Sequence, residues 1–371
     1  MNDGVQLRAV KFDGYKSLDA CEVDLPPLCF VIGRNGVGKT NFADAISFVG
    51  NCLNSNLENA VAERNSIGSV LKLGSEKILF RYEFESTELG DFAYELILAC
   101  EGRTSYYVES ETIANRTGDV DLRSIAEDLV AVPSRALALQ SRGSNDPHSH
   151  AAQLFLRNMR RYDFNIPGLR PPQQSQVGEL LRPNGSNLAS VIQVMLKEHN
   201  ARFMRVLEYM RVVLPNLKNI NVETSGEYQV IRFEMEHGRF SPHHVSSGTL
   251  LSLATLVALF QPPDNDGNHV SLVSIEEPER SLHPGAVGVL HDAMVEASND
   301  RQVLATTQSA DLLDNPNVET NSLRVVITDG ANTHVGNVAS AAREMLSRHL
   351  FTVGELVRMD QFDEVEDGSE L

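Results

Sequence analysis

No stretch of the chain approaches the ~18 consecutive apolar residues that cross a bilayer as a helix. The longest candidate, Leu250–Phe260, is interrupted by Ser252 and Thr255, so no membrane partner is expected. The start, Met1-Asn2-Asp3-Gly4, has neither a basic n-region nor an apolar h-region. No secretory signal is read there, and a cytoplasmic location is expected. Cysteine is scarce. Cys21, Cys29, Cys52 and Cys100 form no C-x-x-C and have no neighbouring histidine pair, which argues against a zinc frame or a disulfide framework and for reduced structural thiols. Basic residues are outnumbered 32 to 50, a net charge of −18. A surface that gripped nucleic acid as a whole would be basic, so any DNA or RNA contact must come from a local patch or a partner. No internal repeat occurs, and no heptad run is sustained over several turns.

What is present is ordinary in bulk and specific in detail. With 371 residues, 42% hydrophobic and 22% charged, the chain has material for one large domain or two joined ones. Gly33-Arg34-Asn35-Gly36-Val37-Gly38-Lys39-Thr40 fits the phosphate-binding pattern G-x-x-x-x-G-K-[ST] without a mismatch. Its flanks fit too: Leu28–Ile32 reads as a buried strand, and Thr40–Val49 as the helix leaving the loop. Glycines let the backbone turn tightly and bring N–H groups to phosphate oxygens, and the helix N-terminus adds partial positive charge. Lys39 is expected on the β/γ-phosphates of ATP, the Thr40 hydroxyl on Mg²⁺, and Asn41 at the helix start completes the nucleotide-binding set.

Along the chain, Val5–Lys11 and Glu22–Leu25 read as strands about a turn at Asp13-Gly14. Lys77–Glu85, Phe92–Cys100 and Thr104–Ser110 alternate as half-buried antiparallel strands do. Helices are expected over residues 121–141, broken at Pro133, and over Ala151–Tyr162, Leu188–Lys197 and Ala201–Val213. Ile220–Thr224 and Tyr228–Glu236 return to strand pattern. In the last third, strands (Val270–Ile275, Gln302–Thr306, Leu323–Thr328) alternate with helices (Leu250–Phe260, Gly285–Ala297, Ala339–Leu350), which implies a parallel, helix-covered sheet. Asp360–Glu370 is dense in acid, carries no Lys or Arg, and reads as disordered.

Four further stretches narrow the chemistry. Val270–Ile275 ends in Glu276-Glu277: the first carboxylate suits Mg²⁺ held through water, and the second suits polarising the attacking water. Most such strands carry Asp first; the longer Glu276 still reaches a metal-bound water. Ser246-Ser247-Gly248-Thr249 stands about thirty residues earlier, just before the apolar helix, and resembles the signature motif of ABC-type ATPases. Ser281-Leu282-His283-Pro284 falls where that family has its D-loop. Ala305–Asp314 resembles the family's switch loop, with Gln308 in place of histidine.

Together these residues resemble compact RecF-like ABC ATPases, relatives of the SMC and RecF head domains. Phe12–Leu18, Pro183–Ala189 and Phe351–Leu356 extend the likeness over nearly the whole chain. The resemblance implies an α/β P-loop NTPase of ABC/RecF type: a mixed sheet with helices on both faces, an antiparallel β lobe and a helical insert. The expected division is 1–110, 111–215 (the insert), 216–358 and an acidic tail 359–371. It also implies ATP and Mg²⁺ as ligands and a homodimer that sandwiches two ATP molecules. Each would lie between one subunit's Gly33–Thr40 and the other's Ser246, Ser247 and Gly248, with Glu277 as general base, Gln308 sensing the γ-phosphate and Lys39 on the phosphates. Glutamine cannot become a cation as histidine can, so slow turnover is expected. The implied context is DNA repair or anti-phage defence, with DNA or a nuclease or toxin effector as partner.

Two other readings remain. A self-contained nuclease needs a metal-binding domain, and only about sixty residues follow the switch loop, without a D-x-D cluster. An ABC transporter cassette is disfavoured by the long mixed insert. Gln140 is the candidate for the family's Q-loop glutamine. The pairs His148/His150 and His243/His244 lack metal-site spacing. Arg157, Arg160, Arg161 and Arg170, with Tyr162 and Phe164 among them, suit either a nucleic-acid contact or a solvated helix face.

Overall fold

The computed structural model describes residues 4–115, 118–122, 135–142, 146–176, 180–315, 317–362 and 364–366. The chain divides into two compact units, the first comprising Met1–Met159, Glu319–Thr352 and Leu356–Leu371, the second Arg160–Val318 and Val353–Glu355. The division at Met159/Arg160 falls inside the stretch 111–215 expected as one helical insert.

The first unit is built on an antiparallel sheet in the order Cys21–Asp24, Val5–Asp13, Lys77–Ser86, Phe92–Glu101, Ser105–Asn115, Gly118–Asp121. In Lys77–Ser86 the alternation places Ile78, Phe80, Tyr82 and Phe84 inward, all fully buried. Phe80 and Tyr82 meet an aromatic cluster that includes Phe12, Tyr15 and, from the helix Lys39–Asn54, Phe42 and Phe48; the Phe48 and Phe80 rings stack at 4.8 Å. That helix runs on past the expected Val49 to Asn54. Its Asp44 is buried, accepts the Tyr15 hydroxyl at 2.6 Å, and pairs with Arg64 and Lys16, each at 2.6 Å. Burial alone would raise the Asp44 carboxyl, but the Arg64 and Lys16 charges and hydrogen bonds hold it well below the usual carboxylate range. The loop helix is therefore pinned to the Tyr15–Lys16 segment by a satisfied ionic cluster.

The same unit carries the strand before the phosphate loop. Leu28–Ile32 runs parallel to Leu323–Thr328, with Phe30 opposite Leu323 and Ile32 opposite Val325. Leu323–Thr328 pairs antiparallel with Thr333–Val338, a strand the sequence reading did not register. Val365–Glu366 pairs with the end of that strand, so part of the tail expected to be disordered is ordered; residues 363 and 367–371 lie outside the described residues. Of the helix expected over residues 121–141, residues 123–134 lie outside the described residues, and Ala138–Arg142 is helical.

In the second unit three parallel strands lie in the order Arg160–Tyr162, Leu272–Glu276, Gln302–Thr307. The expected helix Ala151–Tyr162 is thus corrected: it spans Pro147–Arg157 in the first unit, and the residues after it form an edge strand. Asp146 fixes the earlier start, accepting from the Ser149 N–H at 2.8 Å with Pro147 at the first helical position. The apolar helix Ser247–Phe260 is buried all round from Gly248 onward, as an all-apolar helix must be. Asn200–Val213 and Pro284–Ala297 pack against it. Leu217–Ser225, Tyr228–Met235 and Gly238–Phe240 form a small antiparallel sheet. Among the described residues no helix is long and apolar enough to cross a membrane.

Candidate functional site

In the first unit the phosphate loop links Leu28–Ile32 to the helix Lys39–Asn54. Gly38 sits at φ 112° as the residue preceding the helix, and a Cβ there would collide with the Thr333 side chain. Gly33, at φ 153°, would likewise drive a Cβ into the Val326 carbonyl. Both positions require glycine because the loop is pressed against the neighbouring strands. Beyond Gly36 there is open space, as a loop that accepts a ligand requires. Lys39 is buried and its Nζ donates to the Gly33 carbonyl at 2.7 Å and the Arg34 carbonyl at 2.9 Å, so the ammonium is curled inside the loop's own ring. Thr40 is exposed. Arg34 points outward and pairs with Asp360 at 3.1 Å.

A relay of side chains holds the loop from beneath. Thr333 Oγ1 donates to the Val37 carbonyl at 2.7 Å, which leaves Ser17 Oγ to donate to Thr333 Oγ1 at 2.8 Å and accept from Asn41 Nδ2 at 2.7 Å. Asn41 therefore acts through the loop's frame. Thr333→Val keeps the volume and removes the hydroxyl that joins the relay. We expect it to cost about 1 kcal/mol of stability and to weaken nucleotide binding about fivefold, read by thermal unfolding and by titration with a fluorescent ATP analogue.

The second unit gathers the signature, the acidic strand, the D-loop and the switch loop. Ser246 caps the helix Ser247–Phe260: its Oγ accepts from the Thr249 N–H at 3.1 Å and lies 2.8 Å from Thr249 Oγ1. A Cβ on Gly248 would collide with the Ser281 carbonyl, which ties the signature glycine to the D-loop. Ser281 itself is at φ 66°, and His283 caps the next helix by accepting from the Gly285 N–H at 3.2 Å.

Glu276 ends its strand opposite Thr306 of the neighbouring strand. Glu277 follows at φ 43°, a left-handed conformation that a glutamate adopts only under constraint; its N–H donates to the Thr306 carbonyl at 2.9 Å. Gln308 Nε2 reaches Glu277 Oε1 at 3.4 Å, so the switch glutamine and the second carboxylate are brought together. A third acid, Glu279, was missed in the sequence. Thr307 Oγ1 donates to its Oε1 at 2.6 Å, while Oε2 is buried without a hydrogen-bond partner. Burial pushes the Glu279 carboxyl up, the Glu277 charge adds to this, and the Thr307 hydrogen bond opposes it.

Two arginines of the run, Arg161 and Arg170, make contacts within the second unit. Arg161 Nε donates to Glu276 Oε1 at 2.8 Å, and its Nη2 donates to the same oxygen. Arg170 Nη2 lies 3.5 Å from the Val245 carbonyl, next to Ser246. In the first unit, Gln140 Nε2 donates to the Ser55 carbonyl at 3.1 Å and the residue is exposed. Among the described residues no group of three or more His, Cys, Asp and Glu is placed to hold a metal ion. The Thr40 hydroxyl in the first unit and the Glu276 carboxylate in the second are each hard oxygen donors of the kind Mg²⁺ takes.

A family model described as "AAA domain, putative AbiEii toxin, Type IV TA system" matches residues 28–314, from the strand before the phosphate loop through the switch loop. Among solved structures the chain is similar to the SMC head bound to the C-winged helix domain of ScpA, at 14% identity and a TM-score of 0.58, covering 91% of this chain and 99% of that one. It is also similar to the SMC head domain with an extended coiled coil bound to the C-terminal domain of ScpA from Pyrococcus furiosus, at 13% identity and a TM-score of 0.52, covering 94% and 100%. Likeness at that identity is one of fold, a mixed α/β P-loop ATPase head. No curated protein matches the chain.

Proposed function

The chain belongs to the AbiEii-type AAA-domain family, and on that premise we propose that it is an ATP-gated switch that closes into a homodimer around ATP and hydrolyses it slowly. The observation that carries the reading is Glu277, held at φ 43° at the end of a buried strand with Gln308 against its carboxylate. Strain of that kind is retained where a side chain must be aimed.

In this reading Lys39 leaves the Gly33 and Arg34 carbonyls for the β/γ-phosphates, and the N–H groups of Gly33–Thr40 surround them. Thr40 by its hydroxyl and Glu276 through water are the residues proposed to hold Mg²⁺, which when bound offsets the phosphate charge. Glu277 accepts the proton of the attacking water, and Gln308 fixes that carboxylate while offering a neutral donor to the γ-phosphate. Ser246, Ser247 and Gly248 of a second copy supply a hydroxyl and backbone N–H groups at a helix N-terminus. Without a cation at position 308, charge stabilisation in the transition state is weaker, which supports slow turnover.

The family description names a toxin of a type IV toxin–antitoxin system. That supports a role in defence, in which the closed dimer engages a nuclease or toxin effector or DNA; a role in DNA repair rests on the RecF-like motifs alone. Composite sites make a kinetic prediction. Phosphate release per chain should rise with protein concentration and then level off, because a lone subunit lacks the donors of its partner. Specific activity that is constant from nanomolar to micromolar chain would sink the dimer reading while leaving the nucleotide site standing.

A further inference from the structure

We propose that Arg161 is the resident counter-charge of the Glu276 carboxylate, competing with the metal for it and so setting how tightly the site takes a divalent cation. The inference rests on the proposed role of Glu276 and names a regulator of it that the motif pattern does not contain.

The strand register creates the pair. Arg161 lies directly across from Ser274, and Glu276 is two residues further on, so all three share one face of the sheet. The Arg161 guanidinium donates to the Glu276 carboxylate through Nε and Nη2, and the two side chains are only 26% and 13% exposed. An arginine–carboxylate pair sheltered to that degree is screened little by solvent, and arginine cannot relieve it by losing its proton. A divalent cation approaching the same carboxylate meets a fixed positive charge. It must share the carboxylate or displace the guanidinium.

A displaced guanidinium has an acceptor beside it. Ser274 Oγ, on the neighbouring strand across from Arg161, is buried without a hydrogen-bond partner. The strand that carries Arg161 is fixed at its other side: the buried Tyr162 hydroxyl accepts from Gln261 Nε2 at 2.6 Å. Arg161 can therefore change partners while its strand stays in register. Just beyond, the Phe164 carbonyl accepts at 2.6 Å from Nη2 of Arg280, the residue before the D-loop, and Arg170 approaches the Val245 carbonyl before the signature. Residues 160–170 thus touch the acidic strand, the residue before the D-loop and the edge of the signature, and a change at Arg161 has a short route to each.

The test is metal affinity, read without turnover. Mn²⁺ stands in for Mg²⁺ and is followed by electron paramagnetic resonance on the full chain with a non-hydrolysable ATP analogue. Binding of the analogue in EDTA is measured alongside. Arg161→Met should tighten Mn²⁺ about tenfold and leave metal-free analogue binding unchanged. Arg161→Lys, which keeps the charge but loses the fork, should fall between Met and wild type. The lysine variant also serves if the methionine variant does not fold. Glu276→Gln should loosen Mn²⁺. Unchanged Mn²⁺ binding in Glu276→Gln would overturn the metal role of Glu276 itself. Looser Mn²⁺ in Glu276→Gln with unchanged or looser Mn²⁺ in the Arg161 variants would leave that role standing and overturn the proposal, marking the pair as structural only.

Discussion

Glu277→Gln lowers the rate of ATP hydrolysis about 100-fold or more and leaves the affinity for ATP within a few-fold of wild type. The substitution is isosteric, so the φ 43° backbone and the hydrogen bond from the Glu277 N–H to the Thr306 carbonyl are retained. What is lost is a base: an amide cannot take the proton of the attacking water, and general-base catalysis contributes about 10²–10⁴-fold. The Gln308 amide, 3.4 Å from Oε1 in the wild type, still finds an oxygen to meet, so the geometry of the switch loop should survive. Single-turnover phosphate release beside equilibrium binding separates the two effects. A variant that hydrolyses at the wild-type rate would remove Glu277 from the chemistry and direct attention to Glu279, two residues on, whose Oε2 is buried without a hydrogen-bond partner.

The second large effect is on binding. Lys39→Ala should weaken ATP about 100-fold or more, the scale on which one preorganised charged donor acts at a phosphate. In this structure the ammonium sits on the carbonyls of Gly33 and Arg34 at 2.7 and 2.9 Å, ready to exchange two loop oxygens for phosphate oxygens. Its removal deletes that donor and also leaves the ring of the loop without its centre. Lys39→Arg should not restore binding, since a planar fork does not replace a compact ammonium in a space bounded by two carbonyls. Calorimetric titration with ATP checks both variants, and near-wild-type affinity in Lys39→Ala would contradict the assignment of the loop.

How far the sequence foretold the structure depended on how local the cause was. The phosphate loop was legible because its glycines answer to the loop's own backbone: Gly33, Gly36 and Gly38 sit at φ 153°, 79° and 112°, which residues with a side chain rarely adopt. Strands such as Lys77–Ser86 were legible through alternation, and Ser247–Phe260 through unbroken apolarity. Arg160–Tyr162 was not. Three residues are too few to show a period, and the two arginines read as a helix surface until the partner strand is known. Thr333–Val338 hid because Gly336 and Asn337 are depleted in strands, and Thr333's hold on the loop spans nearly 300 residues of sequence. The Arg161–Glu276 pair is of the same kind, set by strand register between distant segments. In the sequence those arginines suited either a solvated helix face or a nucleic-acid contact, both of which point them outward. The fold turns two of them, Arg161 and Arg170, inward on the acidic strand and the signature.

ATP joining two copies of the chain is read most plainly in the hydrolysis-poor variant Glu277→Gln. Light scattering coupled to size exclusion, run with Mg²⁺ and with or without ATP, gives the mass in solution. The expected masses are that of one chain without nucleotide, twice that with ATP, and one chain again when Ser246→Arg is added. Saturating ATP bound to a particle that keeps the mass of a single chain would contradict the ATP-joined dimer.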